Sequence, residues 1–285
     1  MDFKLNSSII KFIAALVVIV IIGFLFAAPY LENKSIEEQI SIIKSINNQH
    51  DVASIMKSDD FENLPYLIKQ YLQKAINNKS KSPKICTINY FGKTRETPNS
   101  EWIEVNAKLN LSTISPAFVN VLESKPFNLL WETTTEIYTN GIASTETKFI
   151  SAIPQNSFVG NKLNRSYLVL YLMESIFSPT SMLPNINTKW RQINNNSVEA
   201  TIWEKDVKVS AIFHFNEKGK ISKITSENRF MPGKIDYTKE DFTMYLANYK
   251  DVGDYLIPTY FEFQWNLANN NFTFGRFQIK DALYE

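Results

Sequence analysis

Apolar residues run unbroken from Phe12 to Leu31 in FIAALVVIVIIGFLFAAPYL, 20 residues without a charge. At ~1.5 Å per residue a helix of that length spans roughly 30 Å, the hydrocarbon thickness of a bilayer. The pattern then turns amphipathic. Ile36, Ile40, Ile43 and Ile46 recur at helical spacing, and Ser35 with Glu38 makes a capping box, which predicts a short juxtamembrane helix. NLPYLIKQYLQKAI, from Asn63, predicts a second helix with Pro65 in its first turn.

From Cys86 onward the period changes to two. Ile103, Val105, Ala107, Leu109 and Leu111 alternate with Glu104, Asn106, Lys108 and Asn110, the mark of a half-buried antiparallel strand. Thr139-Asn140-Gly141 separates two further strands as a hairpin turn, because an Asn-Gly pair accepts positive φ. Val207, Val209, Ala211, Phe213 and Phe215 form another inward row, turned by NEKG into KISKIT. Near the end Phe261, Phe263, Trp265 and Leu267 alternate with polar residues. In the last strand the apolar phase slips from Phe272 and Phe274 to Phe277 and Ile279 across Gly275, which predicts a bulge.

One segment breaks the strand pattern. Tyr167 to Phe177 is apolar on every side except at Glu174 and Ser175, with Ser166 placed to cap it and Pro179 to stop it. A helix that is apolar all round is buried, so something must wrap it. The fold class expected is therefore mainly β (α+β): a curved antiparallel sheet or half-barrel enclosing one buried helix, with an N-terminal transmembrane helix. The division expected is 1–31 for a cytoplasmic stub and anchor, 32–83 for juxtamembrane and docking helices, and 84–285 for an extracytoplasmic β-rich domain.

Charge refines the placement. Lys4 and Lys11 precede the apolar run and Glu32, Glu37 and Glu38 follow it, which sets the short amino terminus in the cytoplasm and the main domain outside. Leu25 and Phe26 stand where a signal peptidase wants small residues before Ala27 and Ala28, so retention as an anchor is expected. With 30 Lys and Arg against 29 Asp and Glu, the chain has no field suited to nucleic acid. The single cysteine, Cys86, reads as a small buried hydrophobe in a strand.

Glu174 is the one carboxylate inside the apolar helix, and an isolated buried carboxylate must pair or take up a proton. Arg165, Arg191, Arg229 and Arg276 are its candidate partners, Arg229 first among them. Two roles stay open, a structural ion pair or gap to solvent and a ligand contact. Catalytic patterns are absent. His50 and His214 read as solvent-side residues, no nucleophile elbow, metal-ligand spacing or phosphate loop occurs, and Glu132, Glu136 and Glu146 read as a solvated sheet face, with a glycosidase-like carboxylate pair as the alternative. Neither a cofactor nor a metal is expected.

LYLMESIFSPTSMLP followed by Trp190, VSAIFHFNEKGKI, Arg229 and YKDVGDYLIPTYFEFQW resemble a family catalogued only as a domain of unknown function, whose blocks read Arg-Tyr-Leu-x-Glu-x-x-Trp-x-Pro-Thr and Ile-Pro-Thr before a Trp. LPYLIKQYL is similar to its opening, and the likeness covers roughly residues 63 to 284. Tyr171, Glu174, Pro179, Trp190, Arg229, Pro258 and Trp265 match, whereas Leu170 and Phe177 replace the family's Arg and Trp. More remotely, the layout is similar to the half-barrels of lipoprotein carriers and lipid sensors. That likeness implies a membrane-anchored binding or envelope-maintenance module for an apolar, lipid or lipoprotein-like ligand, or for a partner segment, with Tyr171, Glu174, Arg229 and Trp265 as ligand-binding residues. The alternative is an envelope enzyme using Glu174 as acid or base.

Overall fold

The computed structural model describes residues 7–45, 51–77, 83–127, 130–233 and 236–285, so that Ile46 and His50 lie outside the described residues. The apolar run and the amphipathic stretch after it form one helix, α1 (Ser7–Lys44), with Pro29 inside it. The separate juxtamembrane helix expected from Ser35 is thus the continuation of the span. A proline forfeits one backbone hydrogen bond but does not end this helix. The residues from Ile10 through Phe26 whose side chains are described are exposed, and the helix is long and apolar enough to cross a membrane. Its second half lays Ile36, Ile40 and Ile43 against Ile85, Ala117 and Val119.

Three shorter helices follow: α2 (Val52–Ile55), α3 (Asp59–Glu62) and α4 (Tyr66–Ala75). Asp51 and Ser58 accept hydrogen bonds from the first turns of α2 and α3, and α4 buries Ile68, Tyr71, Leu72 and Ala75.

Six strands then form a meander: β1 (Ile85–Thr94), β2 (Ile103–Ser112), β3 (Phe118–Phe127), β4 (Leu130–Thr139), β5 (Ile142–Phe149) and β6 (Ile153–Val159). After α5 (Asn161–Glu174) and two short 3₁₀ turns, seven more follow: β7 (Thr188–Asn194), β8 (Ser197–Glu204), β9 (Val207–Phe215), β10 (Ile221–Pro232), β11 (Tyr237–Val252), β12 (Tyr255–Asn266) and β13 (Asn271–Tyr284). All join one antiparallel sheet in the order β6-β5-β4-β3-β2-β1-β13-β12-β11-β10-β9-β8-β7. The only contact between the two meanders within the sheet order is the central pairing of β1 with β13, Cys86 opposite Tyr284 through Thr94 opposite Gly275.

The turn between β4 and β5 has Asn140 at φ 51° and Gly141 at φ 75°, the conformation that Asn-Gly favours. The bulge expected at Gly275 is present. Phe263 faces Gly275 and Gln264 faces Thr273, so Phe274 has no opposite number. A Cβ on Gly275 would stand 2.5 Å from the Phe277 ring, so only glycine fits.

The sheet curls because its two wings meet one helix. α5 packs against β4, β5 and β6 on one side and against β8, β9 and β10 on the other. The result is a half-barrel closed over a helix in which Ser166 through Glu174 are all buried. The helix begins five residues before the expected Ser166, with Gly160 at the cap position and no side-chain cap. Ser166 is inside the helix and has a different task.

Candidate functional site

Tyr167, Tyr171 and Glu174 lie three and four residues apart and so share one face of α5. That face meets polar groups carried by the first wing. Tyr167 Oη donates to Glu136 Oε1 at 3.0 Å and also contacts Thr145 Oγ1, while Asn120 Nδ2 donates to Glu136 Oε2 at 2.9 Å. Tyr90 Oη donates to Asn120 Oδ1 at 3.0 Å, and Tyr171 Oη to the Ser112 carbonyl at 3.1 Å. One network thus links β1, β3, β4, β5 and α5.

Glu174 stands beside this network without a share in it. It is 3% exposed, and its Oε2 has no hydrogen-bond partner among the described residues. Burial pushes its pKa well above the ordinary carboxylate range, and the nearby Glu136 charge adds to the rise while Arg229 opposes it. The surroundings thus favour the neutral, protonated form of the group, which could donate a hydrogen bond. Burial likewise raises Tyr90 and Tyr167, whose phenols stay protonated.

Arg229 arrives from the other wing through a split in the sheet. β10 pairs with β9 only from Ile221 to Thr225, and its register with β11 shifts between Ser226 and Arg229. Side chains satisfy backbone groups that the split opens. Asn228 Oδ1 accepts from the Ser210 N–H at 3.0 Å, Ser226 Oγ donates to the Ser210 carbonyl at 2.7 Å, and Arg165 Nη1 donates to the Lys208 carbonyl at 3.0 Å. Ser166 Oγ accepts from the Phe230 N–H at 3.2 Å and from Arg229 Nε at 3.3 Å. The Arg229 guanidinium lies 4.3 Å from the ring centre of Phe242 and 5.4 Å from that of Trp265, and the residue is 8% exposed. Burial lowers its pKa, yet a guanidinium remains charged. Among the described residues it has no ion pair.

The expected ion pair between Glu174 and Arg229 is therefore not formed. The two groups still feel each other electrostatically, and burial favours the form of Glu174 that needs no counter-ion. The other arginines are engaged elsewhere: Arg165 on Lys208, Arg191 with Glu199 at 2.7 Å, and Arg276 with Glu262 at 3.5 Å. Of the four residues expected at the site, Glu174 and Arg229 are both buried and electrostatically coupled. Trp265 forms a wall behind Arg229, and Tyr171 is tied to Ser112. Glu136, read from sequence as part of a solvated face, points inward, because it shares its strand phase with the buried Tyr138.

Below the polar cluster lies an aromatic floor. Phe261 meets Tyr90, Phe177 and Phe277 at ring separations of 5.4, 5.0 and 5.0 Å, and Phe242 meets Trp265 at 4.9 Å. The half-buried Phe274 stacks on Phe263 and Trp265. His214 lies on the opposite face, held by Ser197 and Thr225, and Cys86 is in the core against the Phe177 carbonyl. Among the described residues no cluster of three metal-ligating side chains occurs. A recess of about 880 Å³ beside α4, lined by Tyr66, Lys74 and Phe215, and another of about 500 Å³ beside α1 are built from residues other than Glu174 and Arg229.

Residues 54–277 match a family of unknown function (DUF6544), and the chain belongs to that family. No curated protein matches it. Among solved structures it is similar to a LolA superfamily protein from Nitrosomonas europaea, at 7% identity and a TM-score of 0.42 over 77% of this chain and 92% of that one. It is also similar to a DUF1329 family protein from Desulfovibrio piger, at 7% identity and a TM-score of 0.40 over 82% of this chain and 93% of that one. Both likenesses read from the sequence, to a family of unknown function and to lipoprotein carriers, recur here.

Proposed function

We propose that this chain is a membrane-anchored extracytoplasmic binding module whose half-barrel takes an amphipathic ligand with an acidic head, a lipid or lipid-modified molecule. Arg229 carries the reading. It is a charged guanidinium, nine-tenths buried, stacked on Phe242 and Trp265 and hydrogen-bonded to one serine hydroxyl. Leaving a charge buried without a counter-ion is costly, and a planar guanidinium with free nitrogens suits bidentate contact with carboxylate or phosphate. Glu174, kept protonated, donates a hydrogen bond to the same head instead of repelling it. The aromatic floor receives the apolar part. α1 remains attached as the anchor, with Lys4 and Lys11 on the cytoplasmic side.

Mass spectrometry of organic extracts from the detergent-solubilised full-length protein tests the proposal. An acidic amphiphile is expected with the parent protein. Arg229→Gln is expected to lose most of it, at least tenfold, with the melting temperature little changed. An equal load on both proteins, or no amphiphile on the parent, overturns the reading.

A further inference from the structure

We propose that the end of the sheet carrying the β5–β6 turn and the neighbouring start of β4 is seated on the bilayer that holds α1. The inference rests on the reading of α1 as a retained anchor. The helix runs on from the apolar stretch to the sheet through Pro29, and α1 is fixed along its second half. Lys44 Nζ meets Glu285 at 2.7 Å, Ile43 and Ile40 pack on Ile85 and Val119, and Glu32 lies 3.8 Å from Lys148. Followed back towards the span, these contacts move from β1 and β13 across to β5, and along the strands towards the β5–β6 turn. Lys148 is one residue from the end of β5 and stands opposite Thr133, close to the start of β4. The apolar run ends at Leu31, one residue before Glu32. That end of the sheet therefore lies at the height where the helix leaves the hydrocarbon.

The residues placed there are apolar. Leu130 is 40% exposed and Ile153 46%, with Trp131, Phe149 and Ile150 half-buried between them. Tyr30 and Leu31 of α1 are exposed at the same level.

The turn chemistry is a second and independent sign. Ile150 and Ser151 both sit in the left-handed region, at φ 46° and 58°, which a β-branched residue avoids. The conformation is held from behind. Trp131 Nε1 donates to Ser151 Oγ at 3.0 Å, the Thr133 hydroxyl is 3.3 Å from the same oxygen, and the Ile150 N–H donates to the Trp131 carbonyl at 2.8 Å. At the far end of the β4–β5 hairpin the same backbone shape is made without strain by Asn140 and Gly141. An isoleucine in place of asparagine or glycine has a use where hydrocarbon, not water, meets the turn, and tryptophan is a residue of the headgroup boundary. Lys148, at the same level, is held by Glu32 and Glu146.

The test uses the full-length protein in phosphatidylcholine nanodiscs, spin-labelled singly through Ile153→Cys, Leu130→Cys, Asn140→Cys or Val18→Cys. Cys86 is fully buried and does not compete for label. Labels at 18, 130 and 153 are expected to favour collision with oxygen over a water-soluble nickel complex by several-fold, and the label at 140 to show the reverse. If 130 and 153 respond to nickel while 18 stays in lipid, the seat is wrong and the anchor stands. If 18 also responds to nickel, the anchor itself fails. Shielding of 130 and 153 from both reagents means that another protein copy covers them, which overturns the seat as well.

Discussion

Two helices lie on the two faces of one sheet, and each takes one carboxylate out of water. On the outer face α1 brings Glu32, whose side chain is 7% exposed and faces Lys148 at 3.8 Å. On the inner face α5 brings Glu174, 3% exposed and without an ion pair among the described residues. The outer pair fixes where a helix lies, a use for which a matched charge is sufficient. Burial favours the neutral form of the inner group, which is coupled to an arginine that also has no ion pair among the described residues. Burial alone does not separate a structural charge from one available to a ligand. What its neighbours leave unsatisfied does.

The contrast can be broken first through packing. Phe261→Ala on the inner floor is expected to lower stability by about 4 kcal/mol and Ile40→Ala beneath α1 by about 2 kcal/mol, in line with large-to-small core substitutions. Urea unfolding followed by near-UV circular dichroism of the detergent-solubilised protein measures both. A larger loss at Ile40 would make the outer helix, not the inner floor, the keystone of the fold.

A second test is pH. The folded-state pKa of Glu174 is raised, so the folded protein keeps a proton that the unfolded chain releases. Its contribution is complete below the unfolded value near 4.3 and is lost as pH rises through the folded value. The melting temperature of the parent protein is expected to fall from pH 5 to pH 8, and that of Glu174→Gln to fall less. Parallel profiles would mean that Glu174 is ionised in the folded state and has a counter-charge. The smallest effect is expected outside, where Glu32→Gln should cost about 1 kcal/mol or less and lose even that in high salt. A cost of several kcal/mol there would sharpen the contrast by showing a pair that is dry as well as matched.

Much of the architecture was legible because periodicity is local. Alternation from Ile103 to Leu111, the Asn140-Gly141 turn and the phase slip at Gly275 each announce themselves within ten residues. α1 was read as two helices because a proline followed by Ser35 and Glu38 imitates an end and a start, whereas an apolar helix continues through Pro29. The site was harder. In LLWETTTEIY both strand phases mix polar with apolar residues, so the inward turn of Glu136 depends on Tyr138 and on what packs over them. Ser166 has the form of a cap, and only the split between β9 and β10 makes it a partner for Phe230 and Arg229. These are consequences of tertiary placement, which a single strand's pattern does not carry.

The pairing of β1 with β13 has a bearing on how the chain is made. The seam at the middle of the sheet joins the first strand synthesised to the last. Once the first meander is made, β1 is an open edge, and the 111 residues between Val159 and Asn271 must follow before its partner begins, the slow, non-local closure typical of such topologies. An open edge is a template for wrong pairing. Loss of β13, the 14 residues Asn271–Tyr284, would not shorten the sheet at one side but divide it in two. β13 is thus the final stitch, and the interval between the making of β1 and of β13 is when a holdase has most to do.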